Sequence, residues 1–216
     1  MPKSLSDVFG KFAEFNPGTI IILILLAFVG IGGIILLRKS RNVHFTTHML
    51  VYASVCIALS FVLSYIRLYR MPQGGSITPG SMLPIMIFAY IFGPVPGVLT
   101  GIAYGFLQYI QGGSIVHWIQ FLMDYPVAFG LLGLAGLYRK NLAVSCIIGV
   151  FGRFLMHFLT GIVFFSQYAG GQPAVLYSLV YNGSYLLVEL IICMVLASLP
   201  QIRNMVCSLQ KNYQGN

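Results

Sequence analysis

The chain has 216 residues, of which 58% are hydrophobic and only 7% are charged, and its mean hydropathy is +0.88. A soluble domain carries roughly 25% charged residues, so this composition excludes a soluble globular fold and indicates an integral membrane protein. The net charge of +8 suggests nucleic acid at first sight, but most Lys and Arg residues stand at the ends of apolar runs, as membrane orientation requires.

Long uncharged runs indicate helices rather than the alternating strands of a membrane barrel. Residues 1–17 form a short polar tail in which Lys3 and Lys11 are balanced by Asp7 and Glu14. Gly18 to Leu37 carries no charge and is long enough to span a hydrocarbon core of about 30 Å. A cleaved signal peptide fits poorly: Arg38-Lys39-Ser40-Arg41 stands where a small-residue cleavage site is needed. The run reads as a retained helix whose C-terminal end is cytoplasmic.

Six further spans are predicted near 47–66, 80–92, 95–110, 117–137, 142–165 and 176–199. The second is short and follows the Gly/Pro-rich loop 71–80. Pro94 and Pro96 mark a tight turn before the third. Alternating sides from Arg41 puts Arg139, Lys140, Arg203 and Lys211 in the cytoplasm. Loops 67–80, 111–116 and 166–175 then face outward, and Arg67 and Arg70 lie outside, against the positive-inside rule. The predicted organisation is an N-terminal tail and extra helix over 1–41, a membrane domain over 42–200 and a cytoplasmic tail over 201–216. No internal repeat of the kind found in many secondary transporters is visible.

Asp124 and Glu189 are the only acidic residues after Glu14. An ionisable residue inside an apolar span is costly, and it either pairs with another group or faces a cavity. Arg153 and His157 are four residues apart in another apolar run, which puts them on one helical face. Gln120 and Asp124 share a face in the same way. Two readings stand for Asp124: an ion pair with Arg153 or His157 that holds helices together, or a carboxylate in an outward-facing pocket. Glu189 admits a structural and a functional reading equally. His117 reads as a wet interfacial residue.

Phe164, Phe165, Tyr168, Tyr177, Tyr181 and Tyr185 cluster at the outer ends of two consecutive spans, beside His157 and Asn182. Aromatic belts are routine there. Beside a carboxylate, the same rings would also receive an organic cation. Trp118, one to two turns before Asp124, is expected close to such a ligand. Cys56, Cys146, Cys193 and Cys207 lack CxxC spacing and read as small hydrophobes. No phosphate loop, GxSxG, HExxH or Cys/His cluster occurs, so no cofactor is expected. A self-sufficient secondary transporter could use Asp124 or Glu189 as a coupling-ion site. A membrane enzyme could use His157 and Asp124 as acid and base, but no nucleophile is evident.

Four stretches carry a family resemblance: MPQGGSITPGSMLPI at 71–85, HWIQFLMDYPVAFGLLGLAGLYR at 117–139, RFLMHFLTGIVFFSQYA at 153–169 and YSLVYNGSY at 177–185. In collinear order, about residues 47–200 resemble the ThiT family, the thiamine-specific S components of energy-coupling factor (ECF) transporters. The resemblance implies an all-α membrane protein, a six-helix S-component bundle plus one extra N-terminal transmembrane helix, in the bacterial plasma membrane. It implies thiamine as ligand near the outer face. It also implies a transmembrane T component and two cytoplasmic ATPase subunits as partners, in keeping with the missing phosphate loop. An S component for another vitamin is the main competitor.

By position, the resemblance puts the carboxylate that bonds the aminopyrimidine on Asp124 and its neighbour on Tyr125. It puts the histidine on His157, the stacking aromatic on Phe165, and the tyrosine and asparagine on Tyr177 and Asn182. Gln120 and Gly161 complete the expected ligand-binding set. Some family members have Glu in place of Asp124 and Trp in place of Phe165. Ser54 and Ala58, at small-xxx-small spacing, match the family's contact with the T component.

Overall fold

Apolar runs bounded by turn residues become helices throughout the part of the chain that the computed structural model describes, Gly30 and residues 45–214. The chain divides into two compact units, Met1–Arg41 and Asn42–Asn216. The polar tail and, apart from Gly30, the helix expected over 18–37 lie outside the described residues. The second unit holds everything below.

Helix α1, Thr47–Tyr65, starts where the Thr46 side chain accepts from the Met49 N–H at 3.2 Å, a side-chain N-cap. Its surface is inverted relative to a soluble helix. Ser60 and Ser64 are buried, while Leu50, Val51, Val55, Leu59 and Val62 are exposed, because the surrounding solvent is hydrocarbon. The Gly/Pro-rich loop that follows is a small hairpin: β1, Tyr69–Arg70, pairs antiparallel with β2, Ser76–Ile77.

Helix α2, Leu83–Phe92, has 10 residues and is almost entirely buried. At 1.5 Å per residue it rises only about 15 Å. Helix α3, Pro94–Ile110, follows after Gly93 alone, which is the tight turn signalled by the prolines. Gly101 and Gly105 let α3 touch the next element through backbone. A Cβ at Gly101 would stand 2.3 Å from the Phe129 carbonyl oxygen, and one at Gly105 2.5 Å from that of Tyr125. Small residues permit this close approach in membrane bundles.

The fourth element, α4, covers Trp118–Leu137 but is not one continuous α-helix. An α-helical turn at Trp118–Leu122 passes into a π-helical turn at Met123–Val127, then Ala128–Gly130, then a 3-10 segment at Leu131–Leu137. Pro126 lies inside the π turn; it has no N–H to give to the α-helical ladder. Helices α5, Leu142–Phe164, and α6, Ala174–Ser198, pack against each other. The Asn141 side chain caps α5 by accepting from the N–H groups of Ala143 and Val144.

Residues 201–214, expected as a tail, instead belong to helix α7, Pro200–Gln214. Ile202, Val206, Leu209 and Tyr213 recur at helical spacing and make one apolar face. Val206 is buried, Ile202 and Leu209 pack on the core, and Tyr213 meets Phe92 edge-on at 4.7 Å. Nearby, Arg139 donates to the carbonyls of Tyr90 and Ile91 at the end of α2.

The six spans expected between 47 and 199 therefore fall on α1 to α6. Of the described helices, α1, α4, α5 and α6 are long and apolar enough to cross a membrane. The chain is an all-helical, multi-pass membrane protein, apart from the two-residue strands.

Candidate functional site

The π turn in α4 decides where Asp124 points. Asp124 lies inside this turn, two residues before Pro126, and is only 8% exposed. Such π turns recur at functional sites. Both carboxylate oxygens are engaged. Oδ1 accepts from the Thr160 hydroxyl at 2.6 Å and lies 3.0 Å from His157 Nδ1, and Oδ2 accepts from Gln120 Nε2 at 2.7 Å. An ionised carboxylate offers about four lone-pair sites, so Oδ2 keeps acceptor capacity toward the cavity.

His157 is held from the other side. Arg153 Nε donates to His157 Nε2 at 3.2 Å, and the Arg153 guanidinium lies over the Phe129 ring, 4.1 Å from its centroid. Because Nε2 accepts, Nδ1 carries the proton that goes to Asp124. The i,i+4 pair on α5 and the i,i+4 pair on α4 thus join into a single chain, Arg153 to His157 to Asp124 to Gln120. Asp124 is therefore both tied across to α5, through a hydrogen bond from His157, and placed beside a cavity.

A cavity of about 140 Å³ opens beside this chain. Asp124, Tyr125, Gln120 and His157 line it, and so do Gly161, Phe165, Tyr177 and Asn182. All the expected ligand-binding residues therefore meet on one cavity. Asn182 is oriented by three bonds, donating to the His157 carbonyl at 3.0 Å and to the Ser178 carbonyl and hydroxyl at 3.1 Å each. The Tyr125 hydroxyl accepts from the Ser114 N–H at 3.0 Å. Tyr177 stacks on Tyr181 with ring centroids 5.7 Å apart, and its buried hydroxyl has no hydrogen-bond partner among the described residues. A buried unpaired hydroxyl is costly, and a ligand group would relieve it.

The sequence reading left out several residues of the same wall. Thr160 lies three positions after His157, on the same face, and its hydroxyl in an apolar span was a usable signal. Tyr181 accepts from the Gln73 N–H at 2.9 Å and so holds the β1–β2 hairpin against α6. Ser64, Arg67, Arg70 and Gln108 complete the open side.

Other expectations fall elsewhere. Trp118 is 63% exposed and is not part of the cavity wall; the first turn of α4 carries it to the outside, next to His117 at 5.7 Å. His117 is not simply a wet interfacial residue. Its Nδ1 accepts from the Ile119 N–H at 3.1 Å as the cap of α4, and its ring stacks on Phe164. Glu189 is 1% exposed and bonds to Thr78 away from the cavity wall. Ser54 and Ala58 are exposed on one face of α1.

Comparison with known proteins agrees with this architecture. The solved structure of ThiT from Listeria monocytogenes superposes with a TM-score of 0.65 at 23% identity, covering 76% of this chain and 96% of that one. At that identity the likeness speaks for the fold. The chain is 34% identical over 147 residues to the thiamine transporter ThiT of Bacillus subtilis, covering 60% of this chain and 76% of the relative. It is 33% identical over 135 residues to the thiamine transporter ThiT of Lacticaseibacillus paracasei, covering 53% and 67%. With residues 50–208 matching the model of the thiamine transporter protein family, Thia_YuaJ, the chain belongs to that family, a family of transporters rather than enzymes.

Proposed function

We propose that this protein is the substrate-binding S component of an ECF-type transporter. It captures thiamine at its outer end and passes it inward together with a transmembrane T component and two cytoplasmic ATPase subunits. What supports the ligand assignment is the cavity beside Asp124: an acceptor oxygen with capacity to spare, walled by Phe165, Tyr177 and Tyr181. The aminopyrimidine of thiamine offers an amine to a carboxylate, and its thiazolium offers a cation to aromatic faces. The Tyr177 hydroxyl gains a partner at the same time. The absence of a phosphate loop from the sequence agrees with energy supplied by other subunits.

Calorimetry on the purified chain tests the reading. Thiamine is expected to bind at one site per chain, with hydroxymethylpyrimidine weaker and riboflavin silent, and the chain alone is expected to show no ATPase activity. Asp124→Asn should weaken thiamine binding by about 1.5–3 kcal/mol, the scale of a charge-assisted hydrogen bond. Riboflavin binding without thiamine binding would reassign the ligand. Thiamine uptake into vesicles holding this chain alone would replace the S-component reading with a self-sufficient carrier.

A further inference from the structure

The end of the bundle opposite the cavity carries charge that nothing balances. The cavity is lined by the starts of α4 and α6 and by the ends of α1, α3 and α5. The ends of α2 and α6 lie at the other side, and α7 packs on both helices. Tyr213 of α7 meets Phe92, and Arg139 donates to the carbonyls of Tyr90 and Ile91 in the same helix. The segment that follows α4 and helix α7 therefore share this end.

Arg139, Lys140, Arg203 and Lys211 gather there, and the last three are exposed. The carboxylates of the described residues, Asp124 and Glu189, are both buried within the bundle. The ion pair found among those residues joins Asp124 to His157. Lys140, Arg203 and Lys211 thus have no acidic partner there. Ile202, Val206 and Leu209 hold α7 to the core, and Arg203 and Lys211 fall off that face.

Apolar side chains are exposed beside these cations: Leu137, Tyr138, Leu199 and Met205. A surface both basic and apolar suits neither water nor hydrocarbon. It suits the boundary between them, where apolar groups reach acyl chains and cations reach phosphates. The depth agrees. Helix α6 is long and apolar enough to cross the membrane, and α7 starts after Leu199 alone, so α7 begins at the membrane boundary. It packs against α2, whose rise of about 15 Å is half of a hydrocarbon core of about 30 Å. This end is the one expected to face the cytoplasm, and anionic lipids of that leaflet attract cations lying close to the surface.

We infer that Lys140, Arg203 and Lys211 form a binding surface for anionic phospholipid headgroups, with α7 lying at headgroup level. Arg holds a phosphodiester through two parallel hydrogen bonds, and Lys holds it as a point charge. The surface includes no residue of the cavity wall, so it does not depend on which ligand the cavity takes.

The chain has a single tryptophan, and Met205→Trp in a Trp118→Phe background moves it onto the exposed side of α7. The test is quenching of its emission by brominated phosphatidylglycerol and by brominated phosphatidylcholine, with the purified full chain reconstituted into vesicles of each. The anionic lipid is expected to be preferred by roughly 5–50-fold at low salt, and by less at high salt. Adding Lys140→Gln, Arg203→Gln and Lys211→Gln should bring the two lipids to equal quenching. An unchanged unfolding midpoint in phosphatidylcholine shows that this variant is folded. Arg203→Gln alone, which serves if the triple change lowers the midpoint, should cut the preference by about 2–5-fold. Equal quenching by the two lipids before the Gln substitutions would overturn the surface. So would a preference that survives them. Uptake by the assembled transporter that is lost in the triple variant, with no lipid preference at position 205, would give the basic end to an acidic partner subunit instead.

Discussion

Glu189, in the middle of α6, accepts two hydrogen bonds from Thr78, 111 positions earlier in the chain: one from its backbone N–H and one from its hydroxyl, the latter at 2.5 Å. The Thr78 hydroxyl in turn accepts from the Ser81 N–H at 3.1 Å. This buried cluster ties the exit of the β1–β2 hairpin to α6, while Tyr181 ties the hairpin tip to the same helix through Gln73. The hairpin is thereby held beside the cavity at two points, and Glu189 serves as an anchor rather than as part of the cavity wall.

Glu189→Ala leaves the buried Thr78 N–H without its acceptor and the Thr78 hydroxyl with Ser81 alone. An orphaned buried donor costs about 1–3 kcal/mol. Thermal unfolding of the detergent-purified variant should show a clear fall in Tm. Glu189→Gln, which keeps an acceptor oxygen, should fall less. An Ala variant as stable as the parent would mean that Thr78 finds other partners.

Gly161 stands where α5 and α6 meet. A Cβ there would lie 2.1 Å from Ser178 Oγ and 2.9 Å from Asn182 Nδ2. Gly161→Ala forces the two helices apart or displaces Asn182, at a cost of about 1–3 kcal/mol for overpacking. The expected result is weaker thiamine binding together with a lower Tm. Unchanged calorimetric affinity would show that the α5–α6 contact yields without disturbing Asn182.

Ser54 and Ala58 lie four residues apart on an exposed face of α1, and a small-residue face suits a close partner helix. Ala58→Leu should leave thiamine binding by the isolated chain intact, because Ala58 is not on the cavity wall. Uptake by the assembled transporter should fall. Full uptake by the Ala58→Leu complex would assign the partner surface to another face.

Much of this protein was legible in the sequence because membrane helices announce themselves by length and hydropathy. The spans, the class, and the polar pairs Gln120/Asp124 and Arg153/His157 all follow from runs and from helical spacing. The reading of 201–216 as a tail passed over the helical period of Ile202, Val206 and Leu209, which face the core in α7. Tertiary structure decided what those faces meet. Spacing fixes a residue's angle on its own helix but says nothing about the neighbour across from it. Only the packed bundle brings Thr160 to Asp124, Thr78 to Glu189 and Arg67 to the rim of the cavity. Hydropathy does not supply this information, because in lipid the outward face of α1 is as apolar as a core. The π turn at Met123–Val127 was equally hidden: a proline in a helical run signals a break in the hydrogen-bond ladder, and the packing of α3 and α5 against α4 selects how that break is resolved and which way Asp124 turns.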